Sequence, residues 1–229
     1  VHYDYNALVG ILALEAERAG AVVIGEDLGT FEQWVQDVLA ARGIMGTSIL
    51  WFERSPSVDG PRHQGEYRTL ALSSVTTHDL PPTAGYLYGE HIALRDRLGL
   101  LIRDTETENS EDLAWQNRIL ARIGEYGLFD GTALDGHDFD GAARDERGDI
   151  TDLLVAMHRY IAGTPSALTC ASLVDMVGDI KAQNQPGTTH DLYPNWCIPL
   201  CDAANTPILI HDLPALPLFR AVAEASRRR

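Results

Sequence analysis

Residues 21–29, Ala-Val-Val-Ile-Gly-Glu-Asp-Leu-Gly, constrain this chain more than any other stretch. Four apolar residues in a row, two Val and one Ile among them, show no polar alternation. That pattern belongs to a strand covered on both faces, as in parallel sheets with crossover helices above and below. Gly25 ends the run and delivers two adjacent carboxylates, Glu26 and Asp27, at its C-terminal end. Side chains from neighbouring strand ends converge at that edge of a parallel sheet, so a carboxylate there is a candidate general acid or base. A plain acidic turn leading into a helix explains Glu26-Asp27 equally well, and the pair alone does not decide.

A second stretch repeats the design. Thr69 to Val75 is apolar or β-branched apart from Ser73 and Ser74, and it runs into Thr76-Thr77-His78-Asp79-Leu80-Pro81-Pro82. Thr47 to Phe52 supplies a third apolar strand, ending at Glu53. Ala167 to Leu173 supplies a fourth, with Asp175 just beyond it. Helical patterns occupy 7–19, closed by Gly20, then 84–98, 113–123, 151–162, closed by Gly163, and 213–225. Thr30-Phe31-Glu32-Gln33 fits a capping box opening a helix that buries Trp34, Val35, Val38 and Leu39 and stops at Gly43. Residues 54–67, with Pro56, Gly60, Pro61 and Gly65, read as a loop above the strand ends. No hairpin signal joins neighbouring strands, which predicts a parallel sheet with right-handed crossovers. The fold class expected is α/β, and four such strands with polar C-terminal ends read as half of a (β/α)8 barrel.

Between 104 and 149 this regularity lapses. Residues 104–112 read as an acidic surface segment, and 124–149, rich in Gly and Asp, as a flexible surface insertion. Asp138-Phe139-Asp140-Gly141 invites a calcium-loop reading, which fails: with Gly141 as the fixed glycine, Gly136 comes first and Arg147 last, where carboxylates are required.

Bulk properties narrow the partners. Eighteen basic against 33 acidic residues give a net charge of −15, which repels nucleic acid and anionic membrane surfaces. No apolar run reaches transmembrane length and no signal peptide is present, so a cytoplasmic location is expected. Cys170, Cys197 and Cys201 form no zinc pattern and are expected to be reduced thiols.

Gly25-Glu26-Asp27-Leu28-Gly29 and Thr77-His78-Asp79-Leu80-Pro81 resemble motifs of the 4-α-glucanotransferases, the amylomaltases or disproportionating enzymes. Asn184-Gln185-Pro186-Gly187-Thr188-Thr189, followed by Pro194-Asn195-Trp196, is a third match in family order. The resemblance covers nearly the whole chain and is weakest between about 100 and 150. It implies that residues 1–229 form the C-terminal half of one catalytic barrel, strands five to eight, with the first half preceding Val1. Val1-His2-Tyr3 carries no start signal, and the Ser-Arg-Arg-Arg end is expected to be a frayed tail.

The resemblance also implies a reaction, on α-1,4-glucans or maltooligosaccharides, without cofactor or metal. Retaining cleavage of a glucosidic bond needs one carboxylic acid to protonate the leaving oxygen and one carboxylate to attack from the opposite face. Glu26 resembles the acid/base, and Asp79 the second acidic residue, which holds sugar hydroxyls and stabilises the oxocarbenium-like transition state. His78 resembles a hydroxyl-binding partner of the same ring, and Asn184 a sugar-contacting loop residue. Asp27 joins them as an expected substrate-binding residue. The nucleophile, an aspartate in an Arg-Ile-Asp context, has no counterpart here, and Asp4 opens a helix instead. The family usually has Arg where this chain has Cys197. Trp51, Tyr86 and Tyr88 are either sugar platforms or core. Asp175 is either a site residue or a cap of the next turn. A metal-dependent barrel hydrolase using Glu26, His78 and Asp79, and a non-catalytic glucan-binding unit, are the competing readings; no second histidine stands at ligand spacing on these strands.

Overall fold

A computed structural model describes residues 3–228, so Val1, His2 and Arg229 lie outside the described residues. Helix α1 (Tyr5–Ala19) opens on Asp4, whose carboxylate accepts the Ala7 amide at 3.0 Å. It closes on Gly20 at φ +62°, the left-handed cap that glycine adopts without strain. The expected strand 21–24 shrinks to one parallel bridge, Ile24 to Met45. The Met45 amide donates to the Val23 carbonyl (3.0 Å) and the Gly25 amide to the Met45 carbonyl (2.7 Å). Among the described residues its other edge has no strand partner and Val22 is exposed, so the ladder does not extend.

Helix α2 (Gln33–Ala40) begins later than the capping box predicts. Glu32, not Thr30, is the N-cap, and its carboxylate is taken by the Trp34 indole N–H at 2.6 Å. The stripe expected to be buried is at most half-buried, and Trp34 itself is exposed, beside Tyr5 of α1.

Strands β1 (Gly46–Ile49), β2 (Ala71–Ser74) and β3 (Leu168–Cys170) form a parallel sheet in the order β1-β2-β3. Ile49 stands opposite Ser74 and Ser74 opposite Cys170. The main core joins Ile49, Leu50, Trp51 and Val75 to Ile119, Leu120 and Ile123 of α5 (Thr105–Gly124) and Met157, Tyr160 and Ile161 of α6 (Ile150–Ala162). The predicted helix 84–98 is two helices, α3 (Thr83–Tyr88) and α4 (Glu90–Arg97), broken where Gly89 takes φ +81°. After β3 come α7 (Leu173–Val177) and, beyond a 3-10 turn at Ile210–Ala215, α8 (Pro217–Ala225).

The stretch 124–149 is not a flexible surface insertion, whereas 104–112 is an acidic surface segment as expected, in helical form. Asp104 caps α5, so 105–112 is its first half, while Phe129, Leu134 and Phe139 are buried in the core. Arg147 is 1% exposed and donates to the Gln116 side chain (2.8 Å) and the Leu87 carbonyl, pinning the loop beneath α3. Nor does the tail fray at Arg228, whose guanidinium donates to the carbonyls of Ala167 (3.0 Å) and Thr164 (3.3 Å).

Apolar side chains are left uncovered on Leu8, Ile11, Leu12 and Leu14 of α1 and on Val22 before the bridge, and Leu168 is exposed on β3 at the opposite edge of the sheet. Among the described residues α1 has no buried position.

Candidate active site

All strands run parallel, so their C-terminal ends share one edge of the sheet. Glu26 follows the Ile24 bridge and Asp79 follows β2, which puts both at that edge. The two carboxylates of the first strand end have different environments. Asp27 is buried and bound on both oxygens: Oδ1 accepts the Thr47 amide (2.7 Å) and hydroxyl (3.1 Å), Oδ2 accepts Gln36 (2.7 Å), and Arg68 pairs with it. Burial pushes the Asp27 pKa up, but Arg68, Thr47 and Gln36 together outweigh it and hold the acid below its ordinary value. A carboxylate has about four acceptor sites, and protein donors occupy those of Asp27. The sequence groups Asp27 with the sugar-binding residues; its observed contacts make it a brace that fixes the backbone carrying Glu26. Glu26 is exposed, and among the described residues no side-chain hydrogen bond holds its carboxylate.

The second and third motifs meet directly. Asn184 Nδ2 donates to Asp79 Oδ1 at 2.6 Å across 105 residues of chain. His78 Nε2 lies 3.3 Å from Asp79 Oδ2, and the His78 ring stands 5.7 Å from that of Trp196. The Thr76-Pro82 turn is held from within, Ser74 Oγ donating to the Thr76 carbonyl (2.8 Å) and Thr76 Oγ1 to the Pro81 carbonyl (3.0 Å). A β-carbon at Gly85 would collide with the carbonyl of Ile180, so only glycine permits this approach of α3 to the segment leading into Asn184.

Asp175 resolves as a structural anchor. Its fully buried carboxylate accepts the amide and hydroxyl of Thr83, both at 2.7 Å, capping the start of α3 rather than the next turn. His158 Nε2 lies 3.5 Å away without hydrogen-bond geometry. Burial raises the Asp175 pKa, against the lowering effects of His158 and the Thr83 bonds.

Trp51 is core, its ring 4.2 Å from that of Tyr86, whereas Tyr88 is exposed on α3. Cys197 carries a free, exposed thiol. Among the described residues no three His, Cys, Asp or Glu side chains are grouped to hold a metal ion. Sequence reasoning missed Arg68 and Gln36; a partner for a buried aspartate was foreseeable, but no spacing rule points 41 residues ahead to Arg68.

The 4-alpha-glucanotransferase profile matches residues 1–203. The chain belongs to the 4-alpha-glucanotransferase family. A 4-alpha-glucanotransferase of Mycobacterium tuberculosis is 46% identical over 230 residues, covering 99% of this chain and 30% of that protein. The crystal structure of amylomaltase from Corynebacterium glutamicum matches with a TM-score of 0.94 and 62% identity, covering all of this chain and 32% of that one. Amylomaltase from Streptococcus agalactiae, solved in complex with acarbose, shares the fold at 17% identity and a TM-score of 0.51. The parallel sheet is therefore part of a glucanotransferase barrel, and the chain spans about a third of the relatives it matches. Among the described residues, no helix is long and apolar enough to cross a membrane.

Proposed function

We propose that this chain is the C-terminal half of the catalytic barrel of a cytoplasmic 4-α-glucanotransferase, and that it supplies two of three catalytic carboxylates. The observation that carries this reading is the 2.6 Å bond from Asn184 to Asp79, which joins two motifs at the edge where Glu26 stands. Glu26 donates a proton to the glucosidic oxygen while an aspartate from the other half of the barrel attacks the anomeric carbon. The shortened glucan leaves, and a covalent glycosyl-enzyme remains. Glu26, now ionised, takes the proton of an acceptor sugar hydroxyl, whose oxygen displaces the enzyme carboxylate with net retention. Asp79, held by Asn184 and His78, binds hydroxyls of the reacting ring and faces the positive charge that develops on it. Asp27 contributes by bracing the strand end rather than by touching sugar.

The test is maltotriose disproportionation by the longer protein that contains this segment, followed by glucose release. Transfer that survives a metal chelator is expected. Loss of transfer on chelation favours the metal-dependent hydrolase, and no turnover of maltooligosaccharides favours a non-catalytic glucan-binding unit.

A further inference from the structure

Trp196 sits at φ +62°. Bulky L-residues rarely occupy this left-handed region, because the β-carbon crowds the backbone. The surrounding loop imposes the conformation. The Trp196 amide donates to the Gln183 carbonyl (2.9 Å), the Gln185 amide donates to Asn195 Oδ1 (2.8 Å), and Asn195 Nδ2 donates to Thr188 Oγ1 (2.9 Å). Tyr193 adds a bond from its hydroxyl to the Ala182 carbonyl (2.6 Å). A turn needing only positive φ is served better by Gly or Asn. Nor does burial explain the indole, which is 59% exposed. Strain retained by an exposed aromatic ring points to what that ring meets.

The ring flanks the candidate site. It stands 5.7 Å from the His78 ring at an interplanar angle of 40°, and His78 in turn contacts Asp79. The same loop presents Asn184 to Asp79. A pyranose has an apolar face of C–H groups and a rim of hydroxyls. An aromatic face takes the first, and amide, carboxylate and imidazole groups take the second. We infer that Trp196 is a stacking platform for one glucosyl ring of the substrate, placed so that the ring's hydroxyls reach the groups around Asp79. This rests on the glucan reading above and adds to it a residue that determines sugar affinity.

Two substitutions in the longer protein separate the ring from the turn. Trp196→Gly satisfies the positive φ and removes the platform; Trp196→Phe keeps a ring and the strain. For maltotriose, Trp196→Gly is expected to raise KM by about tenfold or more with kcat nearly unchanged, the signature of lost binding common to ground and transition states. Its Tm should be equal to or above that of the parent. Trp196→Phe should keep KM within about threefold. Parental KM in Trp196→Gly overturns the inference, as does a fall in its Tm, which would mean that the indole packs inside the protein. If the parent itself turns over and binds no maltooligosaccharide, the glucan reading fails and this inference with it. Parental turnover with an unaffected Gly variant removes the platform alone.

Discussion

Asn184 donates a 2.6 Å hydrogen bond to Asp79, tying the loop after α7 to the turn after β2. A bond to an ionised group is worth about 1.5–3 kcal/mol, so Asn184→Ala should lower kcat/KM by about 10- to 100-fold. Asn184→Asp should be worse, because it sets two carboxylates against each other at hydrogen-bond distance. Steady-state kinetics on maltotriose decide; an unchanged Asn184→Asp enzyme removes Asp79 from the reacting ring.

Glu26→Gln keeps the shape of the side chain and removes its proton. General acid–base catalysis contributes about 10²–10⁴-fold, and turnover should fall by at least that much with folding intact. Full activity with a normal circular dichroism spectrum would assign the proton transfer elsewhere.

Asp27→Asn should destabilise the fold by about 1.5–3 kcal/mol, the range for hydrogen bonds to a charged group. The sign with pH follows from its depressed folded pKa. The stabilisation is fully present above the ordinary aspartate value, about 3.9, and is lost as pH falls through the lower folded value. Urea unfolding of parent and variant should converge in acid. A constant gap down to pH 2 would contradict the Arg68 pairing.

Asp175 behaves oppositely, because burial raises its folded pKa. Its contribution favours folding below the ordinary aspartate value and declines as pH rises from about 3.9 toward the raised one. Asp175→Asn, which can still accept the Thr83 amide, should flatten that decline. Asp175→Ala leaves the amide unsatisfied and should lose about 1–3 kcal/mol. Parallel pH–stability curves for parent and Asn variant would refute the assignment.

Residues 1–229 expressed alone should self-associate and transfer no glucose. Leu8, Ile11 and Val22 are each more than half exposed, and among the described residues the Ile24 bridge has Met45 as its one strand partner; uncovered apolar surface and a free strand edge recruit other chains. Size-exclusion chromatography with a maltotriose assay tests both. A monodisperse, active monomer would place the nucleophile within this chain.

The parallel sheet, and the edge of it that carries Glu26 and Asp79, were legible in the sequence because apolar runs stopped at Gly25 and Thr76 on polar clusters, although the first run formed only the Ile24 bridge. Gly20 and Gly163 marked helix ends for the same local reason. Tertiary contacts escaped it. Phe129, Leu134 and Phe139 are spaced five apart, which matches neither helix nor strand, so their burial left no periodic signal. Asp27 looked like a ligand for sugar because its cation, Arg68, comes from a distant loop. The strain at Trp196 is invisible without backbone angles.

The approach of Gly85 to Ile180 has a consequence for chain length. Reading from Asp79 through Thr83 to Gly85, the partners are Asn184, Asp175 and Ile180, so two short segments lie clamped at three points. Such a clamp has no slack. Surface loops elsewhere absorb an added or deleted residue readily, but a one-residue indel within 79–85 or 175–184 would pull Asn184 off Asp79. Homologous barrels that keep this contact should therefore keep both spacings, whatever happens to the length of the loops around them.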